Sequence, residues 1–183
     1  KREVMRKFKG LSILTLALVF SLGCSEETVD TAPQPYSLST TSANGKLRYR
    51  FPMKPERSLE EEKTYFGQIN SINYVIDFAG LIFEVKESQY AGFKGSDDRI
   101  MEYDSDTALK KSNLEVTSNI ALNSAGFSVR EVQAKDSNGA VKWFSWAVKD
   151  GVVYLLSVSG ITSKDHETVA TDFFKRNLFW YER

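Results

Sequence analysis

Three segments in the second half of the chain alternate between apolar and polar residues with the two-residue period of a β-strand. Residues 136–139 separate the first two segments, and residues 150–151 separate the last two. They contain Asn-Gly and Asp-Gly pairs, which favour the positive φ angles of tight hairpin turns. Strands joined by turns this short must be antiparallel. The sequence therefore predicts a β-meander over residues 127–159.

Further strand-like and helix-like segments account for most of the remaining sequence. The longest alternation lies in residues 68–78, where Ile72, Tyr74 and Ile76 share one face. Ser96 or Asp97 is suited to cap a helix that ends near Lys111. The predicted strands are 46–57, 60–66, 68–78, 81–86, 115–121, 127–135, 141–149 and 152–159, and the predicted helices are about 96–111 and 163–176.

This order of elements predicts an α+β fold. Four strands, a helix, four strands and a second helix are expected to give an antiparallel sheet of about six to eight strands. A sheet with an apolar face needs a covering layer, and two main helices would supply it. We expect a single globular domain over residues 46–183, within the usual size of one domain.

The amino-terminal segment has the order of a secretory signal. Residues 1–10 carry a net charge of +4, and residues 11–22 are apolar apart from serine and threonine. Twelve helical residues reach about 18 Å, which is short of the roughly 30 Å hydrocarbon core. A spanning helix is therefore not expected, and residues 1–23 are predicted to be a signal peptide.

The end of this segment, Ser21-Leu22-Gly23-Cys24, resembles the lipobox of bacterial lipoproteins. The resemblance implies that Cys24, the single cysteine of the chain, carries lipid. The alternative is an ordinary signal peptide followed by a chance cysteine. Residues 24–45 are rich in Ser, Thr and Pro and are predicted to be a flexible tether. The expected location is a bacterial cell envelope, with the outer membrane favoured and a periplasmic or surface-facing domain.

The charge balance gives no support for a nucleic-acid-binding protein, and the cysteine content excludes a domain stabilised by internal disulfides. The whole chain has zero formal net charge, so the part after the basic segment is mildly acidic. A mildly acidic domain gives no electrostatic reason to expect nucleic acid as a partner. A chain with one cysteine cannot form an internal disulfide, so an apolar core must stabilise the domain.

Several landmarks of the domain resemble those of PsbP-like and DcrB-like domains. They are FPMKP at 51–55, Gly67, Gly126-Phe127 before Arg130-Glu131, DGVVYLLSVSG at 150–160, and ATDFFKRNLFW at 170–180. Proteins of that superfamily are mostly accessory proteins, assembly factors or adaptors, and several are membrane-attached lipoproteins. The resemblance implies a PsbP-like sandwich and a non-enzymatic role, and it assigns no function to any residue.

The ionisable residues predict no catalytic or metal site. A zinc site would need more nitrogen or sulfur ligands than His166, the only histidine, can offer. The acidic residues of segment 97–106 lack the glycine and the later glutamate of a calcium loop. We therefore interpret His166 as an ordinary surface residue and the acidic residues as a solvated helix face. No cofactor is expected.

The aromatic residues allow two interpretations. Trp143 has the opposite parity to Phe144 and Trp146, so these side chains cannot all lie on one buried face. Either helices cover both faces of the sheet, or some aromatic residues form an exposed interaction surface. The candidates for such a surface are Trp143, Tyr65, Trp180 and Tyr181.

Two functional hypotheses follow from these patterns. The leading one is a membrane-anchored, non-enzymatic interaction or assembly module with an envelope protein as partner. The alternative is a small-molecule or lipid-binding module with a pocket between sheet and helices.

The predicted lipid attachment can be tested directly. Metabolic labelling with radioactive palmitate should label the wild-type chain, and Cys24→Ser should abolish the label because no thiol remains to carry it. Equal labelling of both chains would contradict the prediction.

Overall fold

The computed structural model describes residues 36, 38–43, 47–64 and 67–178. The predicted signal peptide and Cys24 lie outside the described residues, as do Tyr65, Trp180 and Tyr181. Within the described part of the chain, no helix is both long enough and apolar enough to cross a membrane.

The predicted α+β class is confirmed. The elements are β1 (Leu38–Thr41), β2 (Arg48–Phe51), β3 (Glu56–Thr64), β4 (Gly67–Phe78), β5 (Leu81–Ala91), α1 (Asp97–Ser112), β6 (Glu115–Ser124), β7 (Phe127–Lys135), β8 (Val141–Lys149), β9 (Val152–Ile161) and α2 (Lys164–Asn177). Seven strands form one antiparallel sheet in the order β3-β4-β5-β9-β8-β7-β6, and β1 pairs with β2 in a separate hairpin.

The predicted meander is present as the antiparallel strands β7, β8 and β9. Asp150 and Gly151 connect β8 to β9 with φ angles of 53° and 74°, the left-handed region that a tight hairpin turn requires. In the turn before β8, the Asp136 carboxylate accepts hydrogen bonds from the backbone N–H groups of Asn138 and Ala140, at 2.8 and 3.0 Å. Local sequence therefore sets the register of this half of the sheet.

Helices cover both faces of the main sheet, on opposite sides. Helix α1 packs on β7, β8 and β9, and its residues Ile100 and Met101 join a core cluster with Phe144 and Trp146. Helix α2 packs mainly on β9 and on β2 of the hairpin, and its residue Phe173 belongs to a second core cluster. Because helices pack on both faces of the sheet, odd-numbered and even-numbered residues of the central strands are both apolar.

The predicted end of the tether at residue 45 is wrong. Leu38–Thr41 form strand β1, whose residue Leu38 pairs with Phe51. Tyr36 is buried with 7% of its surface exposed, and its hydroxyl donates to the carbonyl of Val169 at 3.1 Å. This segment is short and rich in Ser and Thr, so it forms a strand only because it pairs with β2 in the hairpin.

The first predicted strands also differ in length from the observed ones. Strand β2 keeps only residues 48–51 of the predicted 46–57, since Pro52 follows it and has no N–H to continue a ladder. Strand β3 begins directly after Pro55, four residues earlier than predicted. Strand β5 continues to Ala91, beyond the predicted alternation.

The interpretation of the acidic residues of α1 as a solvated face is wrong for Asp97 and Asp104, which are half-buried, while the other three are exposed as predicted. Asp97 accepts hydrogen bonds from the backbone N–H groups of the β8–β9 turn, at 3.0 and 3.1 Å. Asp98 accepts from the Ser128 hydroxyl, and Asp106 forms an ion pair with Arg130 at 2.7 Å. The apolar face of α1 is narrow, and these carboxylates help to attach the helix to the sheet.

Candidate functional site

The position of α2 creates a concave surface on one face of the main sheet. The helix begins after Ser163, whose hydroxyl accepts a hydrogen bond from the backbone N–H of His166 at 3.2 Å. Near its other end, the Phe173 ring packs against Phe83 and Phe51, with centroids 5.1 and 6.1 Å apart. These contacts place α2 over β9 and the hairpin, to one side of the sheet.

Beyond the helix, the same face of β6, β7 and β8 remains open. A cavity of about 280 Å³ lies between this open part of the sheet and the end of α2. We call it the Trp143 groove. The side chains that give it its chemistry are Ser118, Ile120, Glu131, Gln133, Trp143, Ser145, Thr171, Phe174, Lys175 and Leu178.

Aromatic and aliphatic side chains form the walls of the Trp143 groove. The Trp143 ring lies against Phe174 of α2, with centroids 6.3 Å apart and planes tilted by 46°. Trp143 is half-buried, whereas Ile120, on the same face of the sheet, keeps 52% of its surface exposed. A wall of this kind offers apolar contact area to a molecule that enters from solvent.

The groove continues along α2 on the other side of Trp143. A second cavity of about 400 Å³ shares Trp143, Thr171 and Lys175 with the first. Its other lining residues, all from α2, are Lys164, Glu167, Thr168 and Asp172. The combined surface therefore has an apolar part at the sheet and a charged, mixed-sign part along the helix.

Ser145 lies deep in the Trp143 groove. Its side chain is 1% exposed, and its hydroxyl has no hydrogen-bond partner within the described residues. In the sheet it stands between Glu131 of β7 and Leu156 of β9. A buried hydroxyl without a partner carries a desolvation penalty, and such a group in a native structure is a candidate for contact with a bound water or ligand.

Of the four aromatic residues predicted to form an interaction surface, the structure describes Trp143 and places it in the groove. The interpretation in which helices cover both faces applies to Trp146, Phe144 and Tyr90, all buried beneath α1. Trp143 lies on the α2 side at the border of the covered area, where one ring face contacts Phe174.

The sequence patterns did not single out Ser145, Ile120 and Thr171 as members of the site. Ser145 is the only polar residue in the apolar run from Trp143 to Val148, and this is the one local signal in the sequence. Ile120 and Thr171 come from β6 and α2, which are distant in sequence from β8. Only the packing of the helix brings them together.

The lining of the Trp143 groove offers contacts for binding but lacks the usual base for an activated serine. Among the described lining residues there is no histidine or cysteine. His166 is half-buried in the first turn of α2, where its Nδ1 lies 3.3 Å from the Thr162 hydroxyl. Within the described residues, no group of three or more His, Cys, Asp or Glu side chains could hold a metal ion.

Two partly or fully buried carboxyl groups lie elsewhere and have structural partners. Asp104 of α1 accepts hydrogen bonds from the Tyr90 hydroxyl at 2.6 Å and from Trp146 Nε1 at 3.2 Å. Burial at the helix–sheet interface raises the pKa of Asp104, and these hydrogen bonds and the charge of Lys86 oppose that rise. The group borders a polar cavity of about 200 Å³ on the α1 side of the sheet.

Glu87 of β5 attaches the β1–β2 hairpin to the main sheet. Its side chain is 4% exposed, and both carboxylate oxygens accept from the backbone N–H of Ala43, at 3.1 and 3.3 Å. Burial raises the pKa of Glu87, while the Ala43 N–H and the neighbouring Tyr49 hydroxyl favour the charged form. Burial has the larger effect, so the Glu87 carboxyl group of the folded protein holds its proton more tightly than an exposed glutamate would.

Comparison with known proteins finds a distant structural likeness but no family. No protein-family model matches the chain, and no curated protein matches it. Among solved structures, the chain is similar to a protein of unknown function from Pseudomonas aeruginosa, with a TM-score of 0.38 and 8% identity over 73% of this chain and 92% of that one. These values support no inference about function, which must come from the residues of this chain.

The buried Glu87 predicts a pH dependence of stability. Because its pKa in the folded protein is raised above the ordinary 4.5, its contribution to stability is fully present below that pH and is lost as the pH rises through the raised pKa. Glu87→Gln cannot ionise, so we expect its free energy of unfolding to fall less than that of wild type between about pH 4 and 8. Urea denaturation at a series of pH values measures this difference.

Two features of this experiment isolate Glu87. Asp104 also lowers the free energy of unfolding as the pH rises. It does so in both proteins, so its effect cancels in the difference between their curves. Glu102→Gln, on the exposed side of α1, serves as the control and should give a curve parallel to wild type. Parallel curves for Glu87→Gln and wild type would refute the assignment.

Proposed function

We propose that this protein is a non-catalytic interaction module, held at a bacterial cell envelope by lipid on Cys24, and that an envelope protein binds its Trp143 groove. The observation that carries the proposal is that half-buried Trp143 and exposed Ile120 line the same open cavity. Tryptophan in a partly formed pocket is the residue type most often found at the energetic centre of protein interfaces.

The distribution of charge along the groove supports a protein partner. The apolar part at the sheet is bordered by Lys164, Glu167, Asp172 and Lys175 of α2. An apolar centre with a polar, charged rim is the usual anatomy of a protein–protein interface. The rim carries both signs of charge, which suits a partner of mixed charge better than a uniformly charged polymer.

The sequence supports the envelope location. A basic segment, an apolar run of twelve residues and Gly23-Cys24 are together the features that resemble a lipoprotein signal. Two or three acyl chains on one cysteine would anchor a domain durably, since each buried CH₂ contributes about 0.8 kcal/mol. A domain held in this way would meet its partner at the membrane surface.

Photo-cross-linking in native membranes tests the partner. We expect p-benzoylphenylalanine at position 120, in the groove, to capture a discrete protein. Adding Trp143→Ala should weaken capture by roughly 30-fold, the effect of losing about 2 kcal/mol at an interface hot spot. Trp143→Phe, which keeps an aromatic ring against Phe174, should retain most of it.

Position 59 provides the matched control. Leu59 lies on strand β3 at the opposite edge of the sheet and is 67% exposed. The same photoreactive residue at position 59 should not capture that protein. Capture from both positions, or capture that is insensitive to Trp143→Ala in a variant with wild-type thermal stability, would contradict the proposal.

The unpartnered hydroxyl of Ser145 favours a second candidate function, the binding of a small apolar ligand with one hydrogen-bonding group. The volume of about 280 Å³ approaches the range of about 300–1,000 Å³ in which small-molecule sites fall. Trp143 and Phe174 would contact the apolar part of the ligand, and Ser145 would bind its polar atom.

Ser145→Ala separates this ligand role from a structural role. Removing a buried hydroxyl that has no partner should leave the thermal midpoint unchanged or slightly higher. If a ligand bonds to it, the same variant should retain less ligand in native mass spectrometry of the detergent-solubilised full chain. The candidate fails if the wild-type chain retains no ligand, or if Ser145→Ala retains the same amount.

A further inference from the structure

The two edges of the main sheet differ in their protection against pairing with another strand. Six of the nine residues of edge strand β3 are charged, and charged side chains discourage edge-to-edge pairing. At the opposite edge, β6 has ten residues and carries one charge, Glu115 at its start. Beyond Glu115, no charged side chain of β6 discourages its outer backbone groups from pairing with another strand.

The order of residues within β6 is nearly palindromic. Residues 118–124 have the sequence Ser-Asn-Ile-Ala-Leu-Asn-Ser, which is symmetric in chemical type about Ala121. An antiparallel strand paired about a two-fold axis at Ala121 would place serine opposite serine, asparagine opposite asparagine and isoleucine opposite leucine. A self-complementary surface of this kind is what a two-fold symmetric dimer requires.

The regular part of β6 coincides with this palindrome. A register shift lies between Val116 and Ser118, where the Thr117 hydroxyl donates to the carbonyl of Gln133 at 3.1 Å. At the other end, Ala125 and Gly126 form the turn into β7 with φ angles of 50° and 76°. Between these two interruptions the strand is unbroken over seven residues.

Exposure along the edge agrees with an unfilled pairing site. Ile120 is 52% exposed, and Asn119, Ala121 and Asn123 are exposed as well. Ile120 and Leu122 lie on the α2 side of the sheet, while the other three point to the α1 side. Pairing with a second β6 would cover Ile120 with leucine.

We propose that two copies of this chain pair through their β6 edges, antiparallel and centred on Ala121, to form one continuous sheet of two domains. In this arrangement Ile120 packs against Leu122 of the partner subunit, and Asn119 lies opposite Asn123 of the partner subunit. Segment 118–124 contains no charged residue, so no like charges stand directly opposite each other across the paired strands.

The proposed dimer has two physical consequences. A seven-residue edge gives a small interface, which belongs to the weak, reversible class of associations. The two-fold axis is perpendicular to the sheet, so both Trp143 grooves lie on the same side of the joined sheet. The pairing goes beyond the proposed function and does not depend on it, because it rests on the residue order of β6 and on its place at the edge of the sheet, although the two surfaces share Ile120.

A disulfide introduced at the symmetry axis tests the register. In the full chain carrying Cys24→Ser, Ala121→Cys puts its thiol opposite the same residue of the partner subunit, with Cα atoms about 4.5–5.5 Å apart. That distance lies within the range that a disulfide spans. We expect Ala121→Cys to give a disulfide-linked dimer under mild oxidation.

Asn123→Cys is the matched control for this register. Its thiol would lie opposite residue 119 of the partner subunit and about 13 Å along the strand from its own symmetry mate, too far for a disulfide. We therefore expect little cross-linked dimer from Asn123→Cys. Equal cross-linking at 121 and 123 would indicate random collision and would overturn the proposal, as would cross-linking at 123 alone.

A charge on each edge of the sheet tests the interface without a cysteine at the axis. Ile120→Lys puts an ammonium group on the proposed interface, and Leu59→Lys puts one on the already charged β3 edge, at a similarly exposed position. We expect Ile120→Lys to lower Ala121→Cys cross-linking at least tenfold and to remove the concentration-dependent dimer in light scattering. Leu59→Lys should leave both unchanged. A wild-type chain that is monomeric at every concentration, or equal effects of the two lysines, would overturn the proposal.

Discussion

The position of Phe173 is the constraint on which the functional surfaces of this protein depend. Its ring contacts Phe83 of the main sheet, Phe51 of the hairpin and Tyr36, so one side chain joins three parts of the chain. Burying an aromatic ring of this size is among the largest single contributions to a core. Because the aromatic cluster lies over β5 and β2, helix α2 is held to that side, and the opposite part of the same face stays open.

Polar contacts then determine how the other layers attach. Helix α1 has a narrow apolar face, and the carboxylates of Asp97, Asp104 and Asp106 bind it to the sheet. The hairpin is held in a similar way by Glu87 and by Asn177, whose side-chain amide exchanges two hydrogen bonds with the backbone of Arg50. Buried polar groups stabilise a fold only when their partners are correctly placed, so these contacts specify one arrangement of the layers.

The open half of the α2 face and the free edge of the sheet meet at β6. Ile120 belongs to both surfaces, since it lines the Trp143 groove and lies on the uncharged edge. A partner in the groove and a second copy at the edge would therefore contact neighbouring atoms. Both proposals therefore involve β6: a partner in the groove would contact the side chain of Ile120, and a second copy would contact that side chain together with the backbone of the strand edge.

The sequence by itself determined the α+β class, the β7–β9 meander, both helices within one or two residues, and the parity that sets Trp143 apart from Phe144 and Trp146. These features depend on periodicity and turn chemistry, which act over a few residues. The tertiary structure alone decided that Leu38–Thr41 forms a strand, that Asp104 points into an interface, and that Ser145 and Ile120 share a groove. The strand depends on pairing within the hairpin and on the packing of that hairpin against α2, and the other two depend on which distant element packs against which face. Local patterns carry no information about these outcomes.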